Sequence, residues 1–552
     1  MQLPANYRAF LDLSPDQVSQ LSQELMERTL HAVTIESWLR DWAALAALFQ
    51  ELLARYDIAT DVNTADEAAK ERLRQYRETI FPIGMRLNQR LHERLQAHAD
   101  LLPAPLRATL ERQASAERLN TSPAALDLLN RESELFTRFE SINGAQTVTW
   151  EGVVMPLRQL RDVLGEADRQ RRERAWRTTQ QQHQQAQAQM AAVWAELLDV
   201  RLKLAEVNGF DDYLSYRWVQ LGRSDYTPAD SAIIHDALRR HWSPLHARLM
   251  ESRRSALGIE TVRPWDVYAP LGDAPPTPRI SAEELLTKTL NVFQRMDADF
   301  AATVRRLHDT GFIDLAQRQH TSSVGGFSRM VGRSASFIFT NFFGAPGEGI
   351  GLIHELGHAI SNIASGELPY MAYWGFPADF SESPSTAMEM LSVPYWDEFF
   401  ALDGLQGEQS GYFAGVLGAS LNQAGNDAFQ HWVYRHPEQA RDLTQCAAKE
   451  SELRQQFLPG IDWTGLGTEM EWHLPSMHAP LHTLEYFYGW VTGLRLLSLP
   501  PTEAVARYKA AVALGNSVPT AALFQAMGIR FPVTEADLAS AATELAARGG
   551  IR

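Results

Sequence analysis

The chain has 552 residues, of which 45% are apolar and 21% charged, and a formal net charge of −16. That length is ample for a large core in about two to four domains, and the acidic balance argues against a nucleic-acid backbone as the main partner. A lone cysteine, Cys446, excludes an intrachain disulfide framework and a thiolate metal cluster. The N-terminal stretch has no basic-then-apolar leader and no segment has membrane-spanning apolar length, so the expected setting is the cytoplasm, away from membranes.

In chain order, Ser14-Pro15-Asp16 predicts a helix start with Ser14 as N-cap and Pro15 in the first turn. Amphipathic helical segments follow at 15–29, 35–56, 64–98, 104–113 and 123–141. Residues 147–154, T-V-T-W-E-G-V-V, break the pattern as a small hairpin or strand. The arginine-rich run 158–177 is interleaved with acids and reads as a solvated helix face, and the Gln-rich piece 180–189 continues that helix to Val207. A further helix is expected from Thr227 to Leu257. The Pro-bounded loop 263–271 is expected to pack two helical layers, and residues 273–278 form an exposed connector.

From 312 to 343 short strands broken by glycine replace helix, with residues 337–341 as the candidate sheet edge for an extended peptide. The glycine-rich 344–351 lacks the Lys-Ser/Thr ending of a phosphate loop, which leaves a tight turn feeding the next helix. That helix carries G-I-G-L-I-H-E-L-G-H-A-I-S, residues 349–361. His354 and His358, at i and i+4, point the same way, and Glu355 sits beside the first of them. Two neutral imidazoles so placed grip one Zn²⁺, and the glutamate reaches a water on it.

A catalytic zinc wants a third protein ligand and an open position. The downstream carboxylates within reach are Glu367, Asp379, Glu382 and Glu389. Glu382 and Glu389, seven apart, share a face if one helix runs through both, with Pro384 tolerated in its first turn.

H-E-L-G-H followed by D-F-S-E-S-P-S resembles the thimet oligopeptidase and oligoendopeptidase F family of zinc metallopeptidases. The resemblance implies that Glu382 is the third ligand, with Glu389 and Asp379 as outer carboxylates orienting the ligands. The elements at 263–271 and at Asp427-Ala428-Phe429-Gln430-His431-Trp432 are also similar to the family's, the latter expected to serve packing. The resemblance further implies a mainly helical, two-lobed zincin-like body with a small sheet beside the metal helix and a deep central channel. The chain is expected to divide into an N-terminal helical domain, 1–200, and a zinc metallopeptidase catalytic domain, 201–552. The implied activity is hydrolysis of short unstructured peptides with one Zn²⁺ per chain and Glu355 as general base.

Peptide hydrolysis also needs a donor for the developing oxyanion. The candidates lie in W-H-L-P-S-M-H-A-P-L-H-T-L-E-Y-F-Y-G-W, residues 472–490, with His478 and Tyr488 ahead of His482 and Tyr486. A zinc hydrolase of non-peptide amides or esters would use the same metal residues, and a helical peptide-binding scaffold would have no use for Glu355.

Overall fold

The computed structural model describes residues 3–271, 279–321, 326–466 and 479–551. Helices dominate it, and among the described residues five short strands form two small sheets: β1 (Thr147–Trp150), β2 (Val153–Pro156), β3 (Ile313–Asp314), β4 (Gly326–Val331) and β5 (Ala335–Thr340). The connector expected at 273–278 lies outside the described residues. Contacts gather the chain into two compact units, each drawn from three stretches. No described helix is long and apolar enough to cross a membrane.

The first unit comprises Met1–Arg112, Thr277–Leu405 and Thr492–Ile529. Ser14 caps the helix Pro15–Glu27 as expected, in a reciprocal box with Gln17. The single helical stretch expected over 64–98 is instead two helices, Glu67–Thr79 and Phe81–Ala97. Pro82 offers no N–H and its ring clashes with the preceding turn, so an uninterrupted helix fails there. Trp38, Trp42, Leu45, Tyr76 and Leu91 pack into one apolar core, which Tyr373 joins from far along the chain.

The three-stranded sheet has the order β3-β5-β4, with β5 parallel to β3 and antiparallel to β4. Residues 337–341 were expected to form an edge, but β5 is the interior strand and β4 is an edge. A hydrophobic run buried on both faces belongs in mid-sheet: Ile338 and Phe339 are fully buried. After β5 come α1 (Glu348–Gly366) and α2 (Ser383–Ser392).

The second unit comprises Gln113–Pro276, Gln406–Val491 and Arg530–Arg552. β1 and β2 form the hairpin read from sequence, turning through Glu151 and Gly152, both at positive φ. The helix Arg169–Val207 is continuous through the Gln-rich piece. Its arginine face is not wholly solvated, because Arg172 is 2% exposed and, with Arg169, pairs with the fully buried Asp266 at 3.1 and 2.8 Å. A carboxylate buried in the 263–271 loop needs such partners, so that loop packs through charge as well as apolar contact. The helix expected over 227–257 breaks at Trp242 ahead of Pro244, giving Pro228–His241 and Ser243–Leu257. The long α3 (Leu402–Arg435) and the start of α4 (Glu485–Leu497) complete what the argument below needs.

Candidate metal centre

Glu348, the first residue of α1, fixes the turn that delivers the helix, its carboxylate accepting the N–H groups of Phe343 and Ala345 at 2.9 and 2.7 Å. Leu352, Ile353, Leu356 and Ala359 are fully buried, which sets the rotation of α1 and leaves His354, Glu355 and His358 on its less buried side. α2 starts at the residue after Glu382, with Pro384 in its first turn, where a missing N–H costs nothing. The two helices meet at Gly357. A Cβ there would stand 2.7 Å from Ser385 Cα and 3.0 Å from Met388 Cβ, so only glycine permits this approach.

The close seam brings the chemistry together. Glu382 Oε2 lies 3.3 Å from His354 Nε2 and 3.2 Å from His358 Nε2. Among the described residues, His354, His358 and Glu382 are the group whose donor atoms all fall within 4.8 Å of one another, as a shared cation requires. The two imidazole rings stand nearly perpendicular, at 84°, with centroids 4.9 Å apart. Glu389, seven residues on, meets the other nitrogen of His354, with Oε1 2.5 Å from Nδ1. That contact keeps a proton on Nδ1 and turns Nε2, the nitrogen that would ligate a cation, toward Glu382. Ser385 and Thr386 both donate to the Glu382 carbonyl, at 2.8 and 2.7 Å, which fixes its backbone. Asp379 is buried in the turn Ala378–Phe380 just before Glu382.

The electrostatics suit a cation. Burial works against a charged His354, yet Glu382 and Glu389 outweigh it and push the imidazolium pKa up to about 10. Burial likewise opposes charge on Glu382, but hydrogen bonds from both histidines hold it well below the usual carboxylate range. A cluster that holds a proton so firmly between imidazole and carboxylate has the charge balance to hold a divalent ion in its place. Glu355 differs: burial pushes its carboxyl up, with the histidines only partly opposing, as befits a group that takes and returns a proton. A Cβ at Gly326, the first residue of β4, would lie 3.4 Å from Glu355 Cγ and 2.8 Å from the Phe339 carbonyl, so the edge strand begins beside this glutamate.

Of the residues expected to donate to an oxyanion, His482, Tyr486 and Tyr488 belong to the second unit. His478 lies outside the described residues. Tyr488 is 1% exposed, its ring edge-on to Phe531 at 5.1 Å. Tyr486, 6.0 Å from the Trp490 ring, and His482 keep part of their surface. His482 Nε2 stands 3.9 Å from Glu485 Oε2. Two glycines, Gly326 and Gly357, were not singled out from sequence; the position of Gly357 inside H-E-L-G-H was the available signal.

Two histidines a turn apart on a buried helix, a carboxylate from the residue capping a second helix and a glutamate of raised pKa define a zincin-type metal centre. Residues 163–543 match Peptidase family M3, and the chain belongs to that family. Chromosomal oligoendopeptidase F of Lactococcus lactis subsp. cremoris is 24% identical over 159 residues, 29% of this chain and 26% of that protein. Group B oligopeptidase PepB of Streptococcus agalactiae is 21% identical over 254 residues, 45% of this chain and 42% of its own. The matched stretch spans 26% to 32% of the length of the three Lactococcus relatives. Over the whole fold, a structure described as PZ peptidase A with inhibitor 2 superposes with a TM-score of 0.84 at 21% identity, covering 100% of this chain and 98% of that one. One described as a putative oligoendopeptidase F from Bacillus anthracis str. Ames gives 0.78 at 18%, covering 97% and 95%.

Proposed function

We propose that the protein is a zinc-dependent oligopeptidase that hydrolyses peptide bonds in short unstructured peptides, with one Zn²⁺ per chain. The observation that carries this reading is the three-donor group of His354, His358 and Glu382 with Glu355 beside it. Bound zinc would supply Lewis-acid polarisation of a carbonyl and acidification of a water. Glu355 takes the proton of the attacking water at its carboxylate and delivers it to the nitrogen of the departing amine. Glu389 holds His354 in the tautomer that presents Nε2. The main chain of β4, beginning at Gly326 beside Glu355, offers an extended substrate the hydrogen bonds of an added strand. For the oxyanion donor, partial exposure favours Tyr486 over the buried Tyr488, with His482 and His478 as further candidates. The family match over 163–543 supports reading 201–552 as the catalytic part.

The test combines metal analysis with cleavage of a quenched peptide of about ten residues, with and without chelator. Cleavage that follows zinc removal and return is expected, with a folded protein of the same sequence content cut far more slowly. Full activity in protein shown to hold no metal would refute the reading.

A further inference from the structure

The family-like stretch around Asp427 does more than pack. Gln423, Asp427 and Gln430, spaced four and three apart, form one stripe along α3. Each accepts a hydrogen bond from the segment leading into α4, in antiparallel order. Gln430 Oε1 accepts from the Leu481 N–H at 2.6 Å, Asp427 Oδ1 from the Thr483 hydroxyl at 2.7 Å, and Gln423 Oε1 from the Phe487 N–H at 3.1 Å. The last of these satisfies a first-turn N–H of α4 that the helix itself cannot. Arg217 Nε donates to the Pro480 carbonyl at 2.9 Å, and His235 braces the other oxygen of Asp427 at 2.9 Å. Asp427 and Gln430 are 2% and 0% exposed, so these bonds are sheltered from water.

The segment held in this way is strained. Leu481 is a non-glycine residue at φ 59, left-handed backbone that costs about 1–2 kcal/mol and persists only where its surroundings enforce it. Along 481–488, Leu481, Leu484, Phe487 and Tyr488 are buried, while His482 and Tyr486 keep part of their surface. Strain enforced by three side-chain contacts, on a segment whose partly exposed residues include His482 and Tyr486, is the pattern of a preorganised functional turn.

We infer that Gln423, Asp427 and Gln430 are positioning residues, a buried three-rung ladder that fixes the backbone of 481–487 and so sets the orientation of His482 and Tyr486 that turnover requires. The inference rests on the oligopeptidase reading above, and its test separates the two. Thr483→Val removes one rung and keeps the shape, whereas Thr483→Ser keeps the hydroxyl; Gln430→Met removes a second rung. For the Val and Met variants, amide hydrogen exchange in the peptide covering 479–488 should quicken about tenfold, the scale of one lost hydrogen bond, with other regions unchanged. The kcat on the quenched peptide should fall about tenfold with KM within about twofold and bound zinc unaltered, and Thr483→Ser should restore both readouts.

Unchanged exchange in both variants overturns the ladder. Faster exchange with wild-type kcat overturns its positioning role, as does a kcat loss that Thr483→Ser shares. Wild-type protein inert toward all peptides sinks the peptidase reading and the positioning role with it; the exchange measurement, which needs no turnover, still reads the ladder.

Discussion

Replacing Gly357 by alanine tests how the metal centre is assembled. The added carbon would stand 2.7 Å from Ser385 Cα, 3.0 Å from Met388 Cβ and 3.2 Å from the Pro384 carbonyl oxygen. Carbon atoms rest at about 3.5–4.0 Å, so the overlap is about 1 Å, and two of the three obstacles are backbone that cannot swing aside. Such overpacking costs about 1–3 kcal/mol, relieved by α1 and α2 moving apart. The same seam sets the 3.2 and 3.3 Å separations between Glu382 and the two imidazoles. Ligand distances tolerate only about 0.2 Å, so a shift approaching 1 Å should weaken zinc binding by at least about 10–100-fold. Competition against a chromophoric chelator measures this directly, and a 100-fold loss would also remove about 2.7 kcal/mol of zinc-linked stability in thermal unfolding. Gly351→Ala is the control, because a Cβ there meets nothing within 4 Å on the same helix and should leave zinc binding intact. Wild-type zinc affinity in Gly357→Ala would refute the close-approach argument.

Further outcomes follow from the same geometry. Glu382→Ala should abolish stoichiometric zinc binding, whereas Glu389→Ala should weaken it about 10–100-fold; equilibrium dialysis that ranks them the other way would reverse the assignment. Glu355→Gln should retain zinc and lose about 10²–10⁴-fold in kcat, checked by metal analysis beside a peptide assay. Tyr486→Phe should lower kcat on the order of 10-fold or more with zinc unchanged, while Tyr488→Phe, in the aromatic core, should leave kcat within about threefold. His431, 3% exposed, has its pKa pushed down to about 4 by burial, against the pull of Asp427. Below the ordinary value of about 6.5 the unfolded chain takes up a proton that the folded chain refuses. Stability from this residue is therefore full above about pH 6.5 and declines toward about pH 4, by up to about 3 kcal/mol. His431→Phe should flatten that part of the urea-unfolding profile, and an unaltered slope would refute it.

Local chemistry made much of the molecule legible. Ser14 and Pro15 announce a helix start because capping needs only neighbours in sequence, and H-E-L-G-H announces a metal helix because helical periodicity alone aligns His354 with His358. Glu382 and Glu389 were legible as carboxylates on one face, and the family motif chose between them. What periodicity could not rank was which strand lies at the sheet edge: residues 337–341 read as apolar in either position, and only pairing with β4 on one side and β3 on the other puts β5 inside. Burial of Tyr488 against Phe531 was equally hidden, since an aromatic residue fits a core and an active site alike.

By itself the sequence determined the helical character of the chain and the pairing of His354 with His358 beside Glu355, because each follows from residue type and spacing within a few turns, and the family resemblance pointed to Glu382. The tertiary structure alone decided that Gly357 lets two helices touch, that Glu389 meets His354 through Nδ1, and that α3 holds the 481–487 segment by a polar stripe. These depend on distances between stretches up to 64 residues apart in the chain, as between Gln423 and Phe487, and such distances are set by how whole elements pack rather than by any local rule.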